Sequence, residues 1–369
     1  MLNITIVVHN LNGGGAEKMM VRLANGLAAL GDNVSLVLLT EGGININIIN
    51  DNVKLIELKA SRTAMALPKL MRYFQVNKPD KVISALTHVN VIAIIACFSL
   101  GILNKLFVSE RNAFSKDKHV SKDFLINFAY FIAPYLYRII PNPVVAVSKG
   151  VAQDLIDTTI INEKSVTNAP NPVLDDDFLE KKYIKSLHPW LIDKTKPTLV
   201  AVGRLATQKG FDILIKAMPE IIKVIDCRLI IFGEGELKSE FEHLIKDLNL
   251  SNAIDLAGYV SNPLDEMAQA DLFVLSSRFE GSPNVLVEAM STGVKVLATD
   301  CPHGPDEILL SGELGYLVKT ESIDSIVSGI ITALKYEHYD KANQLKHASK
   351  YTITNSASKY RAIITGENP

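Results

Sequence analysis

Cysteine is scarce in these 369 residues, occurring only at Cys97, Cys227 and Cys301, far apart and among apolar neighbours. That excludes a disulfide framework and a cysteine-ligated metal, and fits buried thiols in a reducing compartment. Charge of one sign is lacking too. The 38 Lys plus Arg stand against 40 Asp plus Glu, and a net charge of −2 supplies no global field for nucleic acid. No nucleic-acid partner is expected, and a local patch must carry any anionic one. The longest uncharged apolar run, residues 91–103, falls short of the roughly 20 residues that span a bilayer. The opening MLNITIVVHN has no basic region or cleavage-like site, so it reads as a strand and not as a signal peptide. With 21 Gly, 15 Pro, 48% hydrophobic and 21% charged residues, disordered and collagenous classes are excluded. The expectation is a folded, cytoplasmic protein.

What is present is an alternation of buried strands and helices. Residues 4–8 are continuously apolar, a glycine turn follows at Gly13, Gly14 and Gly15, and Met19, Met20, Leu23, Leu27 and Leu30 recur at helical spacing. Further strands are expected at 34–39, 81–85, 106–109 and 144–147, the last feeding a helix from Ser148. The alternation implies a parallel sheet covered on both faces over roughly residues 1–170. Residues 171–196, rich in proline and charge and holding the only tryptophan, Trp190, read as a linker. The pattern restarts over 197–350, with strands at 198–202, 228–232, 253–256, 272–275 and 294–298 and helices from Phe211, Glu236, Pro263, Pro283 and near Pro305. Residues 351–369 are expected to form a helix that returns to the first domain. In such α/β sheets ligands lie beyond the carboxyl ends of the strands.

Three loops could hold a phosphate there. The Gly13-Gly14-Gly15 turn precedes a helix, but Lys18 stands where a dinucleotide fingerprint needs glycine; Gly233-Glu234-Gly235 fails the same way, with Lys238 in the third place. Neither supports NAD, and each also reads as a plain tight turn. The second loop carries Arg204 and Lys209, a fork and a point charge suited to a diphosphate leaving group, or alternatively two solvated surface cations. The third runs from Ser276 through Glu280, Gly281, Ser282 and Pro283 to Glu288. Ser282 is a natural N-cap and Pro283 suits the first helical position, so free N–H groups would face the strand ends. Glu280 and Glu288 could bind sugar hydroxyls, or be a capping residue and a surface residue.

These motifs resemble the retaining glycosyltransferases of family 4, which have the two-domain GT-B fold. The matching stretches are Gly13-Gly14-Gly15-Ala16-Glu17, Val108-Ser109-Glu110-Arg111-Asn112, Val147-Ser148-Lys149-Gly150, His188-Pro189-Trp190, Val202-Gly203-Arg204-Leu205 with Gln208-Lys209-Gly210, Gly233-Glu234-Gly235, and Glu280 to Glu288. The segment from Ala298 to Leu309 looks like bacterial members that build surface polysaccharides, lipopolysaccharide or capsule, and lipid-linked oligosaccharides. The resemblance implies two Rossmann-like, doubly wound α/β domains with an interdomain cleft. It implies transfer of a hexose or N-acetylhexosamine from a nucleotide diphosphate sugar, by family frequency a UDP-sugar, to a glycan hydroxyl on a polyprenyl-diphosphate-linked acceptor.

By the same resemblance, Arg204 and Lys209 grip the diphosphate, Glu288 holds the ribose and Glu280 contacts the transferred sugar. Backbone N–H groups of Asn284 and Val285 complete the phosphate cradle, Gly203, Gly281, Ser282 and Leu286 belong to the donor site, Gly258, Tyr259 and Val260 flank the base, and Gly14 and Gly15 close from the other domain. Glu110, Arg111 and Asn112 face the acceptor side. A catalytic histidine is expected in the first domain, where His88 is the candidate and His9 its rival; each also reads as a structural histidine. Asp175-Asp176-Asp177 matches a metal-binding Asp-x-Asp literally but sits in the linker, and the two cations do a divalent ion's work. Metal-independent transfer without any cofactor is expected, with the nucleotide sugar as substrate. Residues 104–149 carry seven basic side chains, Lys105, Arg111, Lys116, Lys118, Lys122, Arg138 and Lys149, against acidic Glu110, Asp117 and Asp123, and hold Phe124, Phe128, Tyr130, Phe131, Tyr135 and Tyr137. That mixture suits peripheral contact with the anionic inner face of the cytoplasmic membrane, or equally an ordinary core helix beside a charged loop. The alternatives to a transferase are a UDP-sugar 2-epimerase of the same fold and a non-catalytic nucleotide-sugar-binding subunit.

Overall fold

The structure is a computed structural model that describes all residues except 13, 118–123, 185, 187, 337–338 and 368–369. Gly13 of the first loop, and Lys118, Lys122 and Asp123 of the charged stretch, therefore lie outside the described residues. The chain divides into two compact units, residues 1–175 with 350–369, and residues 176–349.

Unit 1 is a seven-stranded, wholly parallel sheet in the order β3-β2-β1-β4-β5-β6-β7. Its strands are β1 (Asn3–Val8), β2 (Asn33–Leu38), β3 (Val53–Glu57), β4 (Lys81–Ala85), β5 (Leu106–Glu110), β6 (Val144–Ala146) and β7 (Val166–Asn168). The helices are α1 (Gly15–Ala29), α2 (Leu67–Asn77), α3 (Thr87–Ser99), α4 (Phe114–Asp117), α5 (Phe124–Arg138) and α6 (Lys149–Thr158). The apolar stripe of α1 buries Met20, Leu23 and Leu27 against the sheet. Ser148 caps α6 by accepting from Val151 N. α5 runs through Pro134, whose missing N–H and ring cost an interior helix about 3 kcal/mol or more, offset here by burying Ala129, Ala133 and Tyr137.

Unit 2 holds α7 (Pro189–Ile192), β8 (Thr198–Val202), α8 (Phe211–Ile222), β9 (Arg228–Phe232), α9 (Lys238–Asp247), β10 (Ile254–Gly258), α10 (Pro263–Met267), β11 (Leu272–Leu275), α11 (Asn284–Thr292), β12 (Val296–Thr299), α12 (Pro305–Ile308), β13 (Tyr316–Val318), α13 (Ile323–Lys335) and α14 (Lys341–Ala348). Its six strands are parallel in the order β10-β9-β8-β11-β12-β13. The last helix, α15 (Ile353–Thr365), belongs to unit 1 and packs on α1. Buried Ala357, Tyr360 and Ile364 join the β1–α1 core there.

The boundary between the two units falls inside the stretch 171–196. Its first five residues belong to unit 1 and the rest to unit 2. Within unit 2, Ser186 donates to Glu266, His188 Nε2 lies 2.9 Å from Asp255, and the Arg228 guanidinium sits over the Trp190 ring. These are long-range partners for described residues of the stretch read as a linker. Asp175, in the literal Asp-x-Asp, pairs with Arg22 of α1 at 3.3 Å.

Candidate functional site

In each sheet the strand order reverses once, and loops diverge at that point. In unit 2 the reversal lies between β8 and β11, which puts residues 203–210 and 276–283 side by side. The loops beyond β8, β9 and β10 are tied in a row, Gly203 N to Phe232 O at 3.0 Å and Gly233 N to Gly258 O at 2.8 Å. Gly233 has φ +146, and a Cβ on it would lie 1.9 Å from the Gly203 carbonyl oxygen. The Gly233-Glu234-Gly235 motif therefore serves close approach of two backbones, which explains glycine there without a dinucleotide. Gly210, at φ +63, likewise lets the β8 loop lie against Ser276 O.

On this frame Lys209 and Glu280 meet. Lys209 Nζ is 2.6 Å from Glu280 Oε1, and Ser277 Oγ donates to the same oxygen at 2.7 Å. Glu280 is only 7% exposed, and its N–H is held by Pro302 O at 3.2 Å. Burying a carboxylate costs desolvation, which the ammonium and the hydroxyl offset here. Cys301 lies beside it, and burial first and the Glu280 charge second push its thiol up to about 12, which leaves it inert. Arg204 is exposed, and no hydrogen bond or ion pair engages its side chain among the described residues. One cation of the pair is committed to a carboxylate and the other is open.

The two loops are stitched together by a residue the motif reading passed over. Arg278 forks onto both Asp212 oxygens at 2.8 Å, donates to Thr207 O at 2.7 Å and reaches Glu321 at 2.5 Å. Burial works to raise Asp212, but the Arg278 hydrogen bonds and charge outweigh it, so its carboxyl titrates below the usual range. Sequence carries no local signal for this pair, because the partners are 66 positions apart.

The expected cap at α11 is corrected. The helix begins at Asn284, Pro283 is the cap position with extended backbone (φ −70, ψ 93), and no side chain caps it. Proline's fixed φ suits that extended position as well as the first helical turn, so Ser282 falls one residue outside. The Leu286 N–H is already given to Pro283 O at 3.0 Å. Gly281 is buried, while Ser282, Asn284, Val285 and Glu288 are half-buried. Tyr259 is 73% exposed beyond β10, with Val260 half-buried beside it.

In unit 1 the reversal lies between β1 and β4, where His9 follows β1 and His88 opens α3. The Glu17 carboxylate folds over Gly14 at the start of α1. At the end of β5, Glu110 and the following Arg111 are 3% and 4% exposed and turned inward, and Asn112 is exposed. Glu110 accepts from Thr87 Oγ1 at 3.0 and 3.1 Å, from Asn90 Nδ2 at 3.1 Å, and from the Tyr137 hydroxyl. Burial, then the neighbouring carboxylate, raise Tyr137 well above its ordinary range, so it stays a donor. Arg111 donates to Tyr360 OH at 2.9 Å and to Asn171, tying β5 to α15. Among the described residues no group of three or more His, Cys, Asp or Glu is placed to hold a metal ion.

Two wholly parallel α/β units, of seven and six strands, are the layout of the GT-B fold. Comparison with known proteins gives the more particular identity: residues 184–352 match the family described as glycosyl transferases group 1. The chain carries this domain and is a glycosyltransferase. A Campylobacter jejuni N-acetylgalactosamine-N,N'-diacetylbacillosaminyl-diphospho-undecaprenol 4-alpha-N-acetylgalactosaminyltransferase is 29% identical over 98% of this chain and 99% of its own. Among solved structures, Anabaena HepE in complex with UDP matches with a TM-score of 0.79 at 18% identity, covering 99% of this chain and all of that one. The lipopolysaccharide outer core galactosyltransferase WaaB matches at 0.75 and 18%, over 98% of this chain and 99% of its own. Likeness at that identity concerns the fold.

Proposed function

We propose that the chain transfers a hexose or N-acetylhexosamine from a UDP-sugar to a lipid-diphosphate-linked glycan, with retention and without a metal, in bacterial polysaccharide synthesis. The observation that carries the reading is the convergence of Lys209, Glu280 and Ser277 on the loops beside the switch point of unit 2, with Arg204 open on the same loop. Arg204 and Lys209 take the diphosphate. Glu280 shares Lys209 and accepts from a sugar hydroxyl, Glu288 accepts from the ribose, and the first N–H groups of α11, from Asn284 and Val285, meet phosphate oxygens. The bond from the anomeric carbon to the leaving phosphate breaks, and the acceptor hydroxyl attacks from the same face. Its proton passes to the departing phosphate oxygen. The main catalytic work is then electrostatic stabilisation of the diphosphate. On unit 1, Asn112 and His88 serve the substrate side, with Glu110 and Arg111 behind them as support.

The acceptor's lipid is supported by the C. jejuni relative, whose name specifies a diphospho-undecaprenol substrate. A peripheral location on the inner membrane face is supported by α5. Phe124, Leu125, Phe128, Phe131 and Tyr135 are exposed along it and Ile139 just past its end, a row that suits the interface of a bilayer. Among the described residues no helix is long and apolar enough to cross a membrane. The test is a thermal-shift titration with UDP-glucose, UDP-galactose and their N-acetyl forms with EDTA present, because a ligand of the folded state raises Tm by mass action. A rise for at least one supports the reading, and a rise appearing only when a divalent ion is restored removes metal independence.

A further inference from the structure

The switch point of unit 1 holds two imidazoles, of which the proposed reading uses one. His9 is the first residue beyond β1, and His88 is the second of α3. Their rings meet edge to face, with centroids 5.4 Å apart and planes at 75°. His9 is itself anchored. Thr63 Oγ1 lies 3.0 Å from its Nδ1, and its carbonyl accepts from Thr40 N at 3.0 Å and Thr40 Oγ1 at 3.1 Å. Burial lowers its titration against the opposing pull of Glu17 from α1. His88 rides on a constrained turn: Leu86 has φ +77, a conformation that side-chain-bearing residues rarely adopt. That strain is held by the N–H groups of Val89 and Asn90 on Leu86 O, at 2.9 and 2.8 Å, and by Thr87 on buried Glu110. Strain retained at the carboxyl edge of a sheet, beside a switch point, is characteristic of a pre-organised site.

We propose that His9 is a positioning residue for glycosyl transfer: Thr63 fixes the His9 ring, and that ring fixes the orientation in which His88 offers an imidazole nitrogen to a sugar hydroxyl. This rests on the reading of His88 as a site residue. A space-filling role would be served by any apolar ring at position 9, whereas the Thr63 bond needs a nitrogen facing the hydroxyl. The chain of contacts runs Thr63 to His9 to His88, so a change at Thr63 must be felt at His88 although the bond it breaks is to His9.

The experiment uses the full chain and two readouts. Turnover is measured as UDP released from UDP-glucose, UDP-galactose and their N-acetyl forms with a polyprenyl-diphosphate-linked disaccharide as acceptor, for His9→Ala, His88→Ala, the double variant and Thr63→Val. Misplacement of a reacting group by about 1 Å costs up to about 100-fold, so His9→Ala and His88→Ala are each expected to lower kcat by about 10- to 100-fold with donor KM within about twofold. The double variant is expected to match His88→Ala alone, since His9 acts only through His88. The second readout is the imidazole nitrogen spectrum, which needs no substrate: the His88 resonances are expected to move in Thr63→Val and in His9→Phe. Multiplicative loss in the double variant, normal kcat in His9→Ala beside a crippled His88→Ala, or His88 resonances unmoved in Thr63→Val would each overturn the proposal. Normal turnover in His88→Ala would instead remove the reading beneath it. Should His9→Ala fail to fold, His9→Phe and Thr63→Val carry both readouts.

Discussion

In unit 2 the loops at the strand-order reversal meet through an ammonium, a carboxylate and a hydroxyl, with a second cation left open; in unit 1 the corresponding loops meet through two imidazoles and a threonine. Both units place loops at the carboxyl ends of parallel strands, so the topology is shared and the chemistry is not. The charged site suits a diphosphate, whose departure needs fixed positive charge. The imidazole site suits neutral hydroxyls, where orientation counts more than charge. Support differs in the same sense. Unit 2 braces its loops with a half-buried ion pair, Arg278 on Asp212, whereas unit 1 braces its site from deeper within, through Glu110, Asn90, Thr87 and Tyr137.

The contrast is broken most directly at the cations. Arg204→Ala and Lys209→Ala are each expected to lower kcat by about 10²- to 10³-fold in a steady-state assay, the scale of losing one preorganised donor to a developing anion. Near-normal rates in both would leave unit 2 without its charged role. Glu280→Gln keeps the side chain's shape but removes the charge that Lys209 shares, and a kcat loss of about tenfold is expected. The same change should make Cys301 somewhat easier to ionise, yet still far above neutrality because burial is the larger cause; the pH dependence of thiol labelling reads this directly.

The bracing contacts sharpen the comparison in stability. Tyr137→Phe removes a donor from a buried carboxylate and is expected to cost about 1–3 kcal/mol in urea unfolding, the penalty of an unsatisfied buried group. Arg278→Ala is expected to cost less, about 1 kcal/mol, because its partners are partly solvated. Asp212 titrates below its unfolded value, so the Arg278 contribution is full above the ordinary carboxylate range and is lost as pH falls through the folded value. The difference between wild type and Arg278→Ala should therefore shrink in acid. A gap that widened there would contradict the pairing.

Legibility in the sequence followed burial. β8, β9 and β11 coincide with the runs 198–202, 228–232 and 272–275, because a strand covered on both faces is apolar along nearly all its length. β3 (Val53–Glu57) and the three-residue β7 and β13 escaped, being edge strands with polar or half-buried positions. Within 171–196, read as a linker from its proline and charge, His188 caps α7 and pairs with Asp255, a partner 67 positions away that no local pattern announces.

The sequence by itself determined the alternation of strand and helix, the loops that follow the strands, and the glycosyltransferase motif set, because those depend on local periodicity and on residue types a few positions apart. Only the tertiary structure decided that Lys209 is paired to Glu280, that Glu110 and Arg111 turn inward, that Gly233 exists for a neighbouring backbone, and that His9 and His88 touch. Each of these joins residues brought together by sheet order, and sheet order is set by which surfaces can be buried together, a property of the whole chain that no single stretch of it carries.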